Sequence, residues 1–256
     1  MLDENFKLNF FYNKDVVIYN CNKFFNEKFY DDLNEAFPKL DRENFDKKNH
    51  GKYSLEINSK KFDLLAKNNK TLEKFKQHIN SEKIQKKLYW EIYTKLLFAN
   101  KRNLLRLIKY LRFPSFKNIN RINKYLFSKI KLDCEFSYIE NMGKIVPHVD
   151  SIKEICTFLI YFPDEKLNDE DMDKQESYGT SFWESDLKNF SNKHLILEKD
   201  EKEFKEKNKI FYISRFKKNH CCGFLRNDKS WHTVEPVNIN PNYIRKSINI
   251  NFILEN

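Results

Sequence analysis

A chain of 256 residues with 24 Phe, 13 Tyr and 40% apolar residues can bury one well-formed core and is too apolar for intrinsic disorder. Asp3, Glu4, Lys7, Lys14 and Asp15 exclude a secretory apolar region in the first twenty positions, and no apolar run approaches a membrane span of roughly 18 residues. Five cysteines without zinc-type CxxC spacing fit a reducing cytoplasm better than a disulfide scaffold, so a soluble cytoplasmic protein is expected.

In chain order, "DVVIYN" (Asp15 to Asn20) predicts a strand, and "NKFFNEKFYDDLNEAF" (Asn22 to Phe37) a helix ended by Pro38. From Phe62 to Ile130 the pattern is mostly helical, with Ser81 placed to cap "SEKIQKKLYWEIYTKLLF". From Ile92 to Leu132 there is no acidic residue against eleven Lys and Arg, which carries the whole net charge of +10. Within it, Leu104, Leu105, Ile108 and Leu111 fall at helical spacing, with Arg102, Arg106 and Lys109 opposite. Such a face suits nucleic acid or an anionic partner, but it is also what a solvated helix in a lysine-rich protein looks like.

Past Leu132 the period changes. "DCEFSYIE", "ICTFLIYF", "KIFYISRF" and "RKSININFIL" are short β-branched and aromatic runs between polar loops, as in a sandwich or barrel. Two charged inserts, "PDEKLNDEDMDKQE" and "EKDEKEFKEKNK", read as solvated loops or short helices, with a mobile lid as the alternative. Three of only four glycines, Gly143, Gly179 and Gly223, punctuate this strand region. The expected organisation is one domain, 1–256, in which 1–131 is mostly helical support and 132–256 the β unit with its charged loop inserts.

Chemistry concentrates around "PHVD". Residues i and i+2 of a strand share a face, so His148 and Asp150 project together, two of the three ligands of a 2-His-1-carboxylate site. His232, in the alternating "SWHTVEPV", is the best third ligand, because His50 and His78 fall in the helical half and His194 in a polar loop. Thirteen residues on, Arg245 and Ser247 share one strand face while Ile248, Ile250 and Phe252 take the other. An inward arginine needs an anion, and its planar fork suits a carboxylate.

Together the HxD, a glycine-containing middle segment, the second His in a strand and Arg-x-Ser resemble the 2-oxoglutarate- and Fe(II)-dependent oxygenases over Phe136 to Phe252. "FYDDLNEAFP" adds a looser likeness to the helix that often opens bacterial members. The resemblance implies an α+β protein with a C-terminal double-stranded β-helix, a jelly-roll or cupin-like barrel, carried by N-terminal helices. It implies Fe(II) on His148, Asp150 and His232, and 2-oxoglutarate held by Arg245 with Ser247 and Tyr138. O2 would be the oxidant and ascorbate the accessory reductant. The middle segment "YGTSFW" departs from the Gly-Gly or Gly-x-Leu of many members, so no substrate contact carries over from it. The expected activity is hydroxylation of an unidentified small-molecule or protein substrate, anionic in keeping with the charge, with release of succinate and CO2. Phe182, Trp183 and Lys188 are expected near the entrance. The competing readings are a cupin-like metal enzyme that does not use 2-oxoglutarate, and a non-catalytic nucleic-acid-binding protein using the basic 95–131 segment.

Overall fold

In a computed structural model, which describes residues 1–14, 16–41, 45–47, 51–99, 130–151, 153–187 and 195–254, the C-terminal period-2 run lies inside a large sheet. With strands numbered in chain order, that antiparallel sheet runs β1 (Asn9–Asn13), β2 (Val16–Cys21), β10 (Cys221–Leu225), β7 (Glu154–Phe162) and β12 (Ile244–Leu254). It continues through β5 (Ile130–Glu140), β4 (Lys52–Glu56) and β3 (Asp46–Lys47). A second antiparallel sheet holds β6 (Ile145–His148), β11 (His232–Val234), β8 (Ser181–Glu184) and β9 (Lys209–Ile213).

Alternation decides what each face of the large sheet does. Phe136 and Tyr138 of β5, Phe158, Ile160 and Phe162 of β7, and Ile248, Ile250 and Phe252 of β12 are buried on one face. Helices α1 (Glu27–Glu35), α2 (Lys60–Lys67) and α3 (Lys70–Ile79) cover it, and Phe75 and Phe62 meet the Phe136 ring while Tyr30 stacks on Phe162. Asn69 accepts from the Thr71 and Leu72 amides to start α3, and Ser81 accepts from Ile84 at 3.4 Å at the head of α4 (Glu82–Ala99), the cap the sequence predicts. The other face carries Glu135, Ser137, Thr157, Leu159, Arg245, Ser247, Asn249 and Asn251 toward the small sheet. Between the sheets, Ile18, Tyr161, Phe182, Phe216 and Phe224 form a separate apolar cluster.

The first half, expected to be mostly helical with a strand at "DVVIYN", also supplies β1–β2 and β3–β4 at the two sides of the large sheet. One expectation changes. The helix expected from Asn22 starts at Glu27, because the Asn219 side chain takes both backbone groups of Phe25, accepting from its N–H at 2.9 Å and donating to its carbonyl at 2.7 Å. Both charged inserts contain helices, α5 (Asp169–Glu176) and α6 (Glu201–Lys207), and both are pinned. Gln175 of α5 is buried and accepts from Tyr243, and Phe204 of α6 is buried against Trp183 and Trp231. The basic helix expected at 102–112 lies outside the described residues. No described helix is long and apolar enough to cross a membrane.

Candidate metal centre and cavity

The small sheet brings the two histidines together by register. His232 of β11 lies directly opposite His148 of β6, an antiparallel pair with ring centroids 4.1 Å apart. Asp150 follows two residues after His148, in the loop entering β7. Its Oδ1 stands 3.6 Å from His148 Nε2 and 3.5 Å from His232 Nε2.

The hydrogen bonds around the rings define what those nitrogens offer. His148 Nδ1 lies 2.9 Å from the Val146 carbonyl and His232 Nδ1 lies 3.0 Å from the Ser230 carbonyl. A carbonyl oxygen only accepts, so each Nδ1 carries a proton, and the neutral form of each ring offers its lone pair at Nε2. Burial, then the neighbouring His232, pushes His148 down to about 4 against the pull of Asp150, so this ring is neutral near pH 7. Burial alone would raise the Asp150 carboxyl, but His232, His148 and the Thr157 hydroxyl outweigh it and hold it below the usual range. With the rings neutral, the two Nε2 lone pairs face an ionised oxygen. That arrangement is repulsive without a cation between the three groups, and it is a donor set that a divalent metal ion fits. Thr157 donates to Asp150 Oδ2 at 2.9 Å and Arg226 Nε donates to the Asp150 carbonyl at 3.1 Å, fixing the carboxylate so that Oδ1 turns to the histidines.

These groups line one end of a cavity of about 550 Å³ between the sheets. Arg245 lines the same cavity and is 3% exposed. Its Nε donates to the Tyr178 carbonyl at 2.9 Å, and its guanidinium lies over the rings of Tyr161 and Phe216, 5.2 and 4.7 Å from their centroids. No carboxylate of a described residue pairs with it. Burial holds its pKa below the usual guanidinium range, the mark of a cation that lacks its counter-charge. Ser247, two residues on, shares the cavity face and donates to Asn249 at 3.0 Å.

Tyr138 is a correction. It has the opposite parity to Glu135 and Ser137, so it points to the helical side, with its ring edge-on to Phe37 and Phe45, and it does not line the cavity. Trp183 is another, buried on the outer side of the small sheet against Phe204. Phe182 packs beside the His232 ring, centroids 5.9 Å apart, without lining the cavity, and Lys188 lies outside the described residues. Glu235 pairs with Lys205, and the backbone carbonyls of Val146 and Ser230 orient the two histidines. Missed in the sequence were Thr157, Lys52, Glu135, Glu154, Asn249 and Asn251. The asparagines were within reach, because the alternation that aligns Arg245 with Ser247 continues to them.

No family model and no curated protein matches the chain. Among solved structures, a prolyl hydroxylase from Trichoplax adhaerens in complex with a hypoxia-inducible-factor peptide fragment is 11% identical with a TM-score of 0.41, over 92% of this chain and 83% of that one. Streptomyces hygroscopicus HygX with nickel, 2-oxoglutarate and hygromycin B bound is 7% identical with a TM-score of 0.44, over 92% of this chain and 82% of that one. A Pseudomonas putida prolyl-4-hydroxylase is 10% identical with a TM-score of 0.50, over 93% of this chain and 92% of that one. At this identity the likeness is one of fold, and the chain shares that fold over nearly the whole length of the Pseudomonas enzyme.

Proposed function

We propose that this protein is a non-haem Fe(II)- and 2-oxoglutarate-dependent oxygenase. The observation that carries the reading is the pairing, in one cavity, of three converged metal donors with a buried arginine that has no protein carboxylate. His148, Asp150 and His232 hold the metal, and the facing sheets form the jelly-roll barrel around it. Arg245 binds the distal carboxylate of the keto acid, and Ser247 adds a hydroxyl once it turns from Asn249. Bound iron supplies the oxidative chemistry: a substrate C–H, O2 and 2-oxoglutarate become C–OH, succinate and CO2. The residues of this chain bind, orient and exclude water. Thr157 and the Ser230 and Val146 carbonyls hold the donors in place, and Phe224 and Phe182 shield the His232 ring. Arg245 also favours the keto-acid reading over a cupin-like enzyme without it, since the latter leaves a buried cation without a carboxylate partner among the described residues.

The test is a metal titration followed by an assay. Co(II) added anaerobically is expected to give the visible absorption of a bound ion in the parent, with affinity lowered roughly 100-fold or more in His148→Ala and His232→Ala. Arg245→Gln is expected to keep the metal and weaken 2-oxoglutarate by about 3 kcal/mol, roughly 100-fold. Succinate formed with Fe(II), ascorbate and O2 completes the test. Metal binding that survives both histidine substitutions would overturn the assignment.

A further inference from the structure

The cavity has two unlike sides. Strands β5 and β12 give it a polar floor, with Glu135 and Ser137 beside Ser247, Asn249 and Asn251. The small sheet gives it an apolar wall around the metal donors. Val234 lies opposite Ile145 on the two strands that carry His232 and His148, Leu195 forms a bridge with His148, and all three apolar residues line the cavity. Phe224 of β10 joins them beside the His232 ring, centroids 4.5 Å apart. On the floor, charge is arranged as a dipole. Lys52 of β4 pairs with Glu135, Nζ to Oε1 at 2.9 Å, and Asn249 donates to the same oxygen at 2.9 Å. Both members of the pair line the cavity, with 21% and 20% of their side-chain surface exposed. Asn249 also accepts from Ser247, which ties the pair to the strand face that carries Arg245. A ligand with one charge would be drawn to one member of this pair and repelled by the other at nearly the same distance. A zwitterion laid antiparallel to the pair is drawn to both.

We propose that the substrate is a free aliphatic α-amino acid, with its ammonium on Glu135, its carboxylate on Lys52 and its side chain along Ile145, Leu195 and Val234, where the metal donors face it. Nζ and Oε1 of the pair are in contact, so the two ligand charges must lie close together, as they do across one carbon. The oxidised carbon is then one of the side chain. This inference rests on the oxygenase reading, and it replaces the anionic substrate expected from the net charge with one of no net charge.

Three probes of one chain length differ only in charge: norvaline, pentylamine and pentanoate. Each is added under argon to the Co(II)-loaded protein with saturating 2-oxoglutarate, which keeps pentanoate from Arg245. Proton relaxation of the probe's terminal methyl is read against a Zn(II)-loaded reference. The paramagnetic ion broadens only protons held near it, so the readout is binding and not turnover. Norvaline is expected to be broadened about tenfold more than either singly charged probe, as one further charge-assisted hydrogen bond implies. Glu135→Gln should shift the preference toward pentanoate and Lys52→Met toward pentylamine, with Co(II) absorption unchanged in both. A singly charged probe that leads in the parent, equal broadening of all three, none at all, or a ranking indifferent to both substitutions would overturn the proposal while leaving the oxygenase standing. Failure of Co(II) to bind the parent would remove both.

Discussion

Burial, and then Arg215 and Lys217, hold the His220 imidazole down to about 4, and its Nε2 is buried without a partner among the described residues. The unfolded chain protonates the same ring near 6.5. Between those values the unfolded state binds a proton that the folded state refuses, so stability is complete above pH 6.5 and falls as the pH drops toward 4. At pH 5 the loss from this one ring is on the order of 2 kcal/mol. Urea unfolding at pH 7 and pH 5 should show a smaller pH effect in His220→Gln than in the parent, and equal effects would clear this ring of the role. The residue scale is also where the sequence was most and least legible. His148, Asp150 and His232 lie together, but their spacing made only the first two neighbours; the register of β11 against β6 brings His232 to them. Tyr138 breaks from its expected place under strand parity, since Glu135 and Ser137 already marked the inward parity of β5. Lys52 and Glu135 could not be paired in advance, because only tertiary packing brings β4 beside β5.

Strand β10 is buried along its whole length, and its glycine shows how closely the sheet is filled. A Cβ at Gly223 would stand 2.1 Å from Tyr19 Cε2 and 2.4 Å from the Thr157 carbonyl oxygen. The same Tyr19 hydroxyl donates to that carbonyl at 2.7 Å. Gly223→Ala must therefore push β2 away from β10 or break this bond, an overpacking cost of about 1–3 kcal/mol. Because Thr157 also fixes Asp150, the metal site is expected to loosen together with the fold. Denaturant midpoints and Co(II) affinity measured side by side would check this, and an unchanged midpoint would mean that the strands separate at no cost. Long elements such as β7 and β12 were readable from their alternation. The short strands β1 and β3 were not, because they are sheet edges that bury little, and β4 was too short, at five residues, to show its period.

At the scale of the whole molecule, one apolar core runs from Phe6 to Phe252 and joins both halves of the chain. Nearly every strand pairing that builds it is distant in sequence: β2 with β10, β7 with β12, and β12 with β5. Such pairing predicts slow folding, milliseconds to seconds or longer for a chain of this topology. Stopped-flow refolding finished within microseconds would contradict that expectation. The position of β12 sharpens it, because this strand sits between β7 and β5 and holds the two flanks of the sheet together.

For a ribosome this means that the keystone is translated after everything it supports. While β12 is still unmade, the nascent chain carries two incomplete sheets, each with a long bare edge of unpaired amides and carbonyls. A premature stop before Ile244 would thus release two adhesive half-sheets, and such products belong in inclusion bodies and protease traffic.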